Sequence, residues 1–184
     1  MAVIQGKVRI IGGEWRRRII SFSDHAALRP TPDRVRETVF NWLGQDLSGK
    51  TCLDLFAGSG AMGFEAASRG AEHVVLVESK PAIVNVLQVN IEKLKAVQVE
   101  LILMDAMMFI LSDYRQFDVI FIDPPYRLGL IPKILALLSP HLAKDGLVYV
   151  EGEHFISPVD PWQIWRSQQA GKVCYQLLKL SENG

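Results

Sequence analysis

Asp123-Pro124-Pro125-Tyr126 closes an apolar run, Phe117 to Ile122, and brings together a carboxylate, two prolines and an aromatic ring. Successive prolines remove two backbone donors and restrict φ, so the turn stiffens and its carbonyls keep set directions. A carboxylate beside a fixed carbonyl accepts two hydrogen bonds, which suits the two N–H groups of an exocyclic amine on a nucleobase. Such an amine is a poor nucleophile because its lone pair is delocalised into the ring. Hydrogen bonds accepted by Asp123 and the Pro124 carbonyl favour localising that pair, and Tyr126 offers a ring on which an extruded base stacks.

A second chemical constellation lies earlier, in Thr51-Cys52-Leu53-Asp54-Leu55-Phe56-Ala57-Gly58-Ser59-Gly60. An apolar run ends in an acid, and a glycine turn leads into a helix from Ala61 to Arg69. Gly58, Gly60 and Gly63 satisfy the G-x-G-x-x-G spacing of dinucleotide enzymes, which permits NAD. Asp54 argues against it, because a carboxylate beside a pyrophosphate sets like charges together. S-adenosylmethionine carries a sulfonium and an ammonium and no phosphate, so the same acid is an asset. Asp54 to Gly60 resembles the first motif of class I methyltransferases, which implies cofactor contacts from Asp54, Ala57, Gly58, Ser59 and Gly60.

Two further acids fit that scheme. Glu78 ends the apolar strand Ala71 to Glu78, 18 residues past Gly60, where a nucleotide fold places a carboxylate on the ribose hydroxyls. Ser79 is expected to flank the adenine or ribose. In methyltransferases an acid at the position of Asp105 commonly accepts from the adenine amine, with a backbone N–H such as that of Ala106 meeting the ring; Asp105 also suits a helix cap. Asp-Pro-Pro-Tyr in turn resembles the motif of enzymes methylating N6 of adenine, N4 of cytosine or N2 of guanine, and does not by itself choose the base. It implies catalytic roles for Asp123, Pro124, Pro125 and Tyr126.

The N-terminal residues narrow the resemblance. Arg9 to Arg16, Arg29-Pro30-Thr31, and Asp33 to Leu43 are similar to the 16S ribosomal RNA guanine-N2 methyltransferase D family, and the similarity extends over almost the whole chain. It implies S-adenosylmethionine-dependent methylation of a guanine N2 in 16S rRNA, within the small (30S) subunit or an assembly intermediate. The family more often has a small residue where this chain has Arg17. The alternative is a DNA or other RNA amino-methyltransferase, which generally needs a target-recognition segment that 184 residues leave little room for. A catalytically silent RNA-binding protein and a nicotinamide oxidoreductase are the remaining rivals.

The elements that must position these residues follow from pattern. Val8 to Ile11, Gly12-Gly13 and Ile19-Ile20 predict a loosely held hairpin that turns near the glycines. Trp15 beside Arg16, Arg17 and Arg18 suits RNA phosphates and an unpaired base. Arg9, Arg34, Arg36 and Arg127 complete the expected RNA contacts. Thr31 as cap, Pro32 at the first helical position and Asp33 predict a helix with Val35, Val39, Trp42 and Leu43 on its core face and Gly44 as its stop. Strands over 97–104 and 146–151, helices over 81–94, 106–111 and 131–138, and an antiparallel pair, 163–167 with 173–180, complete the chain. Met104, Met107, Met108 and Phe109 are read as packing around adenine or in the core.

The expected fold is therefore a Rossmann-like class I methyltransferase: a seven-stranded, mostly parallel sheet with helices on both faces. It is read as a single domain over 1–184, with a basic hairpin and helix extension over 1–44 and a catalytic core over 45–184. Hydrophobic content of 49% with 22% charged residues excludes a disordered chain. Zero net charge argues against bulk electrostatic binding of nucleic acid, yet residues 1–36 carry +5 and the remainder −5, which points the basic arm at a polyanion. Cys52 and Cys174 lack metal-ligand spacing, as do His25, His73, His141 and His154, so no metal is expected. No signal peptide or membrane-spanning run is evident, and a cytoplasmic monomer with reduced thiols is the expectation. Replacing Arg16, Arg17 and Arg18 together is expected to weaken RNA binding and flatten its dependence on salt, as measured by titration between low and physiological ionic strength; an unchanged slope contradicts the arm's role.

Overall fold

A computed structural model describes residues 5–23, 28–126 and 129–181. Strands β1 (Gln5–Arg9) and β2 (Ile19–Ser23) form an antiparallel hairpin, and α1 (Asp33–Trp42) follows. The main body then alternates β3 (Thr51–Asp54), α2 (Ala61–Ser68), β4 (His73–Glu78), α3 (Pro81–Leu94), β5 (Val99–Leu103), α4 (Ala106–Ser112), β6 (Phe117–Ile122), α5 (Ile131–Leu138) and β7 (Leu142–Gly152). A final pair, β8 (Trp162–Ala170) and β9 (Val173–Leu180), is antiparallel. The seven-stranded sheet runs β5-β4-β3-β6-β7-β9-β8, with β3 to β7 parallel, as the sequence pattern predicted. β7 begins before the expected Gly146: Leu142 already pairs with Phe117, and the register shifts across 143–146 before Leu147 pairs with Val119.

Alternate residues of each central strand enter two cores, as a sheet covered on both faces requires. Cys52, Val74, Val119 and Phe121 meet the hairpin, α1, α2 and α3 on one face. Leu53, Val75, Ile120 and Val148 meet α4 and α5 on the other. Among the described residues no helix is long and apolar enough to cross a membrane.

The hairpin is bound tightly to the body, contrary to the loose attachment expected. Val8, Ile10, Trp15, Ile20 and Phe22 are buried. The Ile11 and Gly12 amides donate to the Glu65 carboxylate at 3.0 and 2.8 Å, Trp15 N donates to Ser68 Oγ at 2.9 Å, and Ser68 Oγ donates to Gly12 O at 2.6 Å. Asn90 exchanges two hydrogen bonds with the Ser21 backbone. Gly13 is held at φ 77° with Ser68 O where a Cβ would stand, 1.8 Å away, so only glycine allows this approach. Arg17 lies in the left-handed region at φ 71°, a conformation uncommon for a residue with a Cβ.

Three expectations for this region are corrected. Trp15 is 4% exposed and packs in the core, so its ring is not available to a base. Arg36 is 1% exposed. Its guanidinium bonds Glu65 Oε2 at 3.0 Å, the Thr31 and Arg9 carbonyls, and Asp33, so it is an internal strut and not an RNA contact. Thr31 does not cap α1: Pro32 occupies the cap position without a side-chain bond, and the Thr31 hydroxyl turns to Glu151 instead. Val35 and Val39 are buried as expected, joined by Arg36 and Phe40, whereas Trp42 and Leu43 only pack partly against the core.

Glu65, fully buried, accepts from Arg36, Arg69 Nε and the two hairpin amides. Removing one partner strands the other charges in a dry interior. Glu65→Ala and Arg36→Ala are each expected to lower stability by about 3–5 kcal/mol, read from urea unfolding midpoints; a change within experimental error would contradict the strut.

Candidate active site

The strand order reverses between β3 and β6, and ligands in such sheets bind outside the carboxyl ends of strands at that point. The sequence delivers acids to those ends. Asp54 ends β3, Glu78 ends β4, Asp123 follows β6, and Glu151 is next to last in β7. Register places Asp54 beside Phe121 and Ile122 beside Val150. Asp123 and Glu151 thus follow paired residues on adjacent parallel strands, about 5 Å apart along the backbone.

Asp54 is 3% exposed, and its Oδ2 accepts from Gly63 N at 3.1 Å. Burial pushes its carboxyl up to about 7; the Glu78 charge adds to the rise, while hydrogen bonds from the Gly63 and Phe56 backbones oppose it. A Cβ on Gly63 would stand 2.2 Å from Leu76 Cδ2, so this glycine serves the close packing of α2 on β4. Glu78 accepts from Gly58 N at 3.1 Å and Lys80 N at 2.9 Å. Its carboxylate is thereby fixed against the glycine turn with acceptor capacity left over. Ala57 N donates to Val77 O, Gly60 N to Ala57 O, and Ser59 Oγ accepts from Ala61 N.

Asp105 caps α4, its Oδ1 accepting from Met107 N and Met108 N at 2.9 and 3.1 Å. Ala106 is buried, whereas Ser79 is exposed on the same rim as Asp105. Of the methionine tract, Phe109 is core, while Met104 and Met108 are exposed.

Asp123 is half-buried. Burial holds its carboxyl well above the usual carboxylate range, and the charges of Glu151 and Asp54 push it further the same way. Pro124 is buried, Pro125 is exposed, and Tyr126 leaves 44% of its surface open. The Tyr126 hydroxyl donates to Glu151 Oε1 in a long bond of 3.4 Å.

Glu151 is the functional candidate that sequence reasoning missed. It is 3% exposed, and its Oε2 accepts from Thr31 Oγ1 at 2.9 Å and Tyr149 OH at 2.8 Å. Burial raises its carboxyl; the hydroxyls of Tyr149, Thr31 and Tyr126 oppose the rise. Its signal was present: a buried strand ending in an acid, as in β3 and β4. Four carboxyls gathered this way favour positive charge, whether a proton or a cationic ligand, and disfavour a pyrophosphate.

The expected RNA contacts divide. Arg34 is exposed, and Arg9 is exposed and paired with Asp33 at 3.2 Å. Arg16, Arg17 and Arg18 are exposed at the hairpin tip, and Arg18 Nη2 donates to Lys93 O at 2.8 Å. The tip is bonded to Ser68, at the end of α2 away from the glycine turn, an offset of about 12 Å along the helix. Arg127 and His25 lie outside the described residues.

Comparison with known proteins agrees with this fold. The family described as Conserved hypothetical protein 95 matches residues 8–179. The chain is 41% identical to ribosomal RNA small subunit methyltransferase D of Escherichia coli K12, covering 97% of this chain and 93% of that one. It is 39% identical to the protein of the same name in Haemophilus influenzae, over 94% of each. Among solved structures, the proposed methyltransferase yhhF of Escherichia coli superposes with a TM-score of 0.86 at 40% identity, covering 96% of this chain and 99% of that one. An RNA methyltransferase of Salinibacter ruber in complex with S-adenosyl-L-homocysteine shares the fold, with a TM-score of 0.68 at 18% identity over 84% of this chain and 95% of that one.

Asp54 titrates at about 7 when folded against 3.8 as an ordinary carboxyl, so between these values the folded state binds more protons than the unfolded state. The stability carried by the protonated form is full below about 4 and is lost as pH rises through about 7. Asp54→Asn is expected to reduce this downward slope in urea unfolding followed from pH 4 to 8, the residual slope belonging to Asp123 and Glu151; an unaltered slope contradicts the assignment.

Proposed function

The chain belongs to the Conserved hypothetical protein 95 family, and from that membership together with its site we propose that it transfers a methyl group from S-adenosylmethionine to N2 of one guanine in 16S ribosomal RNA. The observation that carries this reading is the convergence of Asp54, Glu78 and Asp123 at the carboxyl ends of β3, β4 and β6, with Pro124 and Tyr126 following Asp123. The relatives named above supply the substrate class, since both are small-subunit ribosomal RNA methyltransferases.

S-adenosylmethionine, when bound, supplies a methyl group made electrophilic by its sulfonium. The residues present fit it. Glu78, fixed by Gly58 N and Lys80 N, accepts from the ribose hydroxyls. Asp54, already engaged by Gly63 N, acts on the cationic end through its field or through water. Ser79, Asp105 and Ala106 line the adenine side. Asp123 and the Pro124 carbonyl accept from the guanine amine, localise its lone pair and hold it in line with the methyl group, where orientation supplies much of the acceleration. Tyr126, open on one side, stacks on the base.

The basic hairpin tip lies at the far end of α2, so Arg16, Arg17 and Arg18 engage the RNA beyond the methylated nucleotide, with Arg9 and Arg34 nearer the site. A folded RNA or subunit surface has that extent. We place the reaction in the cytoplasm, carried out by a monomer acting as one domain on the small subunit or its assembly intermediate.

The test is incubation with labelled S-adenosylmethionine and small subunits lacking the modification, followed by mapping of the label by mass spectrometry. Label on one guanine N2 is the expected result, with no competition from DNA. Asp123→Ala is expected to lower transfer by a factor on the order of 10² or more while changing cofactor affinity little; near-normal turnover would refute the clamp.

A further inference from the structure

The Asp-Pro-Pro-Tyr motif grips an amine but does not distinguish guanine from adenine or cytosine, all of which carry one. The difference lies in the ring nitrogen beside the amine. In guanine N1 bears a hydrogen and donates; in adenine N1, and in cytosine N3, it is an acceptor. A reader of guanine therefore needs one more acceptor next to the amine clamp.

We propose that Glu151 is that acceptor, and that its Oε1 selects guanine by receiving the N1–H while Asp123 and the Pro124 carbonyl hold the N2 amine. The inference rests on the methyltransferase reading above. Four observations carry it. Glu151 follows Val150, the register partner of Ile122, so it stands beside Asp123 on the neighbouring strand. Its two oxygens differ: Oε2 is occupied by Thr31 Oγ1 at 2.9 Å and Tyr149 OH at 2.8 Å, whereas among the described residues Oε1 holds only the long 3.4 Å contact from Tyr126. The bonds at Oε2 come from two elements, the segment before α1 and β7 itself, and fix the direction of Oε1. Every described donor to this carboxylate is a hydroxyl, and among the described residues no cation pairs with it, so Oε1 keeps acceptor capacity for a ligand's donor while the hydroxyls oppose the rise that burial causes. The Tyr126 hydroxyl, 3.4 Å from the remaining oxygen, sets that oxygen beside the clamp loop. A purine with an acceptor at N1 would set lone pair against lone pair there, in a site already crowded by Asp123 and Asp54.

The probe is 2,6-diaminopurine, which keeps the 2-amino group of guanine and has no hydrogen on N1. Once the target guanine is located by the labelling experiment, small-subunit RNA is rebuilt by ligation with either base at that position. Transfer to each is measured as kcat/KM with the wild type and with Glu151→Gln, whose amide can donate to N1. The wild type is expected to prefer guanine by a factor on the order of 10² or more. The variant is expected to lose guanine activity and gain diaminopurine activity, bringing the ratio within about tenfold. Equal use of the two bases by the wild type would overturn the proposal without any variant, so it remains decidable even if Glu151→Gln does not fold. Equal losses on both bases in the variant would also overturn it, because a purely structural carboxylate has no reason to change the ratio. Absence of methyl transfer to any guanine by the wild type would sink the underlying function as well, and is a separate outcome.

Discussion

A buried carboxylate must find enough donors or it will not stay buried, and Glu65 satisfies that demand with groups from three elements. It draws in Arg36 from α1, Arg69 from the end of α2, and the Ile11 and Gly12 amides from the hairpin. No member can move without leaving a charge or an amide unpaired in a dry place. The hairpin, α1 and α2 therefore take one relative position. Because α2 begins at the glycine turn, the same constraint reaches the nucleotide corner. Arg36 also donates to the Thr31 carbonyl, and the Thr31 hydroxyl donates to Glu151. One chain of polar contacts thus joins the basic arm to the pocket for the base.

At the other end of the sheet the logic is reversed. Asp54, Glu78, Asp123 and Glu151 gather with no cation paired to them among the described residues, and burial raises the carboxyls of Asp54, Asp123 and Glu151. Such a cluster favours a positively charged ligand over an anionic one. The nearest charges raise one another, so occupancy by a cation relaxes the whole group.

Much of this was legible in the sequence because it is local. The acid-then-glycine turn, the period of the buried strands and Asp-Pro-Pro-Tyr each report on neighbouring residues, and the sheet came out with the expected strands. What the sequence hid depends on distant partners. Arg36 looks like a surface arginine until Glu65, 29 positions on, is folded beneath it. Thr31 reads as a helix cap, but its hydroxyl has a better acceptor 120 positions away. Trp15, set among arginines, looks like a stacking platform, yet the hairpin turn folds its ring inward. Glu151 ends a strand like other acids in the chain, and only the pairing of β6 with β7 shows what it stands next to.

The placement of β9 between β7 and β8 means that the sheet is not completed in the order in which the chain is made. While the protein is being translated, β7 has β6 on one side and no neighbour on the other until residues up to Leu180 have emerged and turned back to pair with it. Glu151 sits on that waiting strand. The part of the site that β7 supplies is therefore held on both sides only once β9 has been made, after the glycine turn and the proline motif.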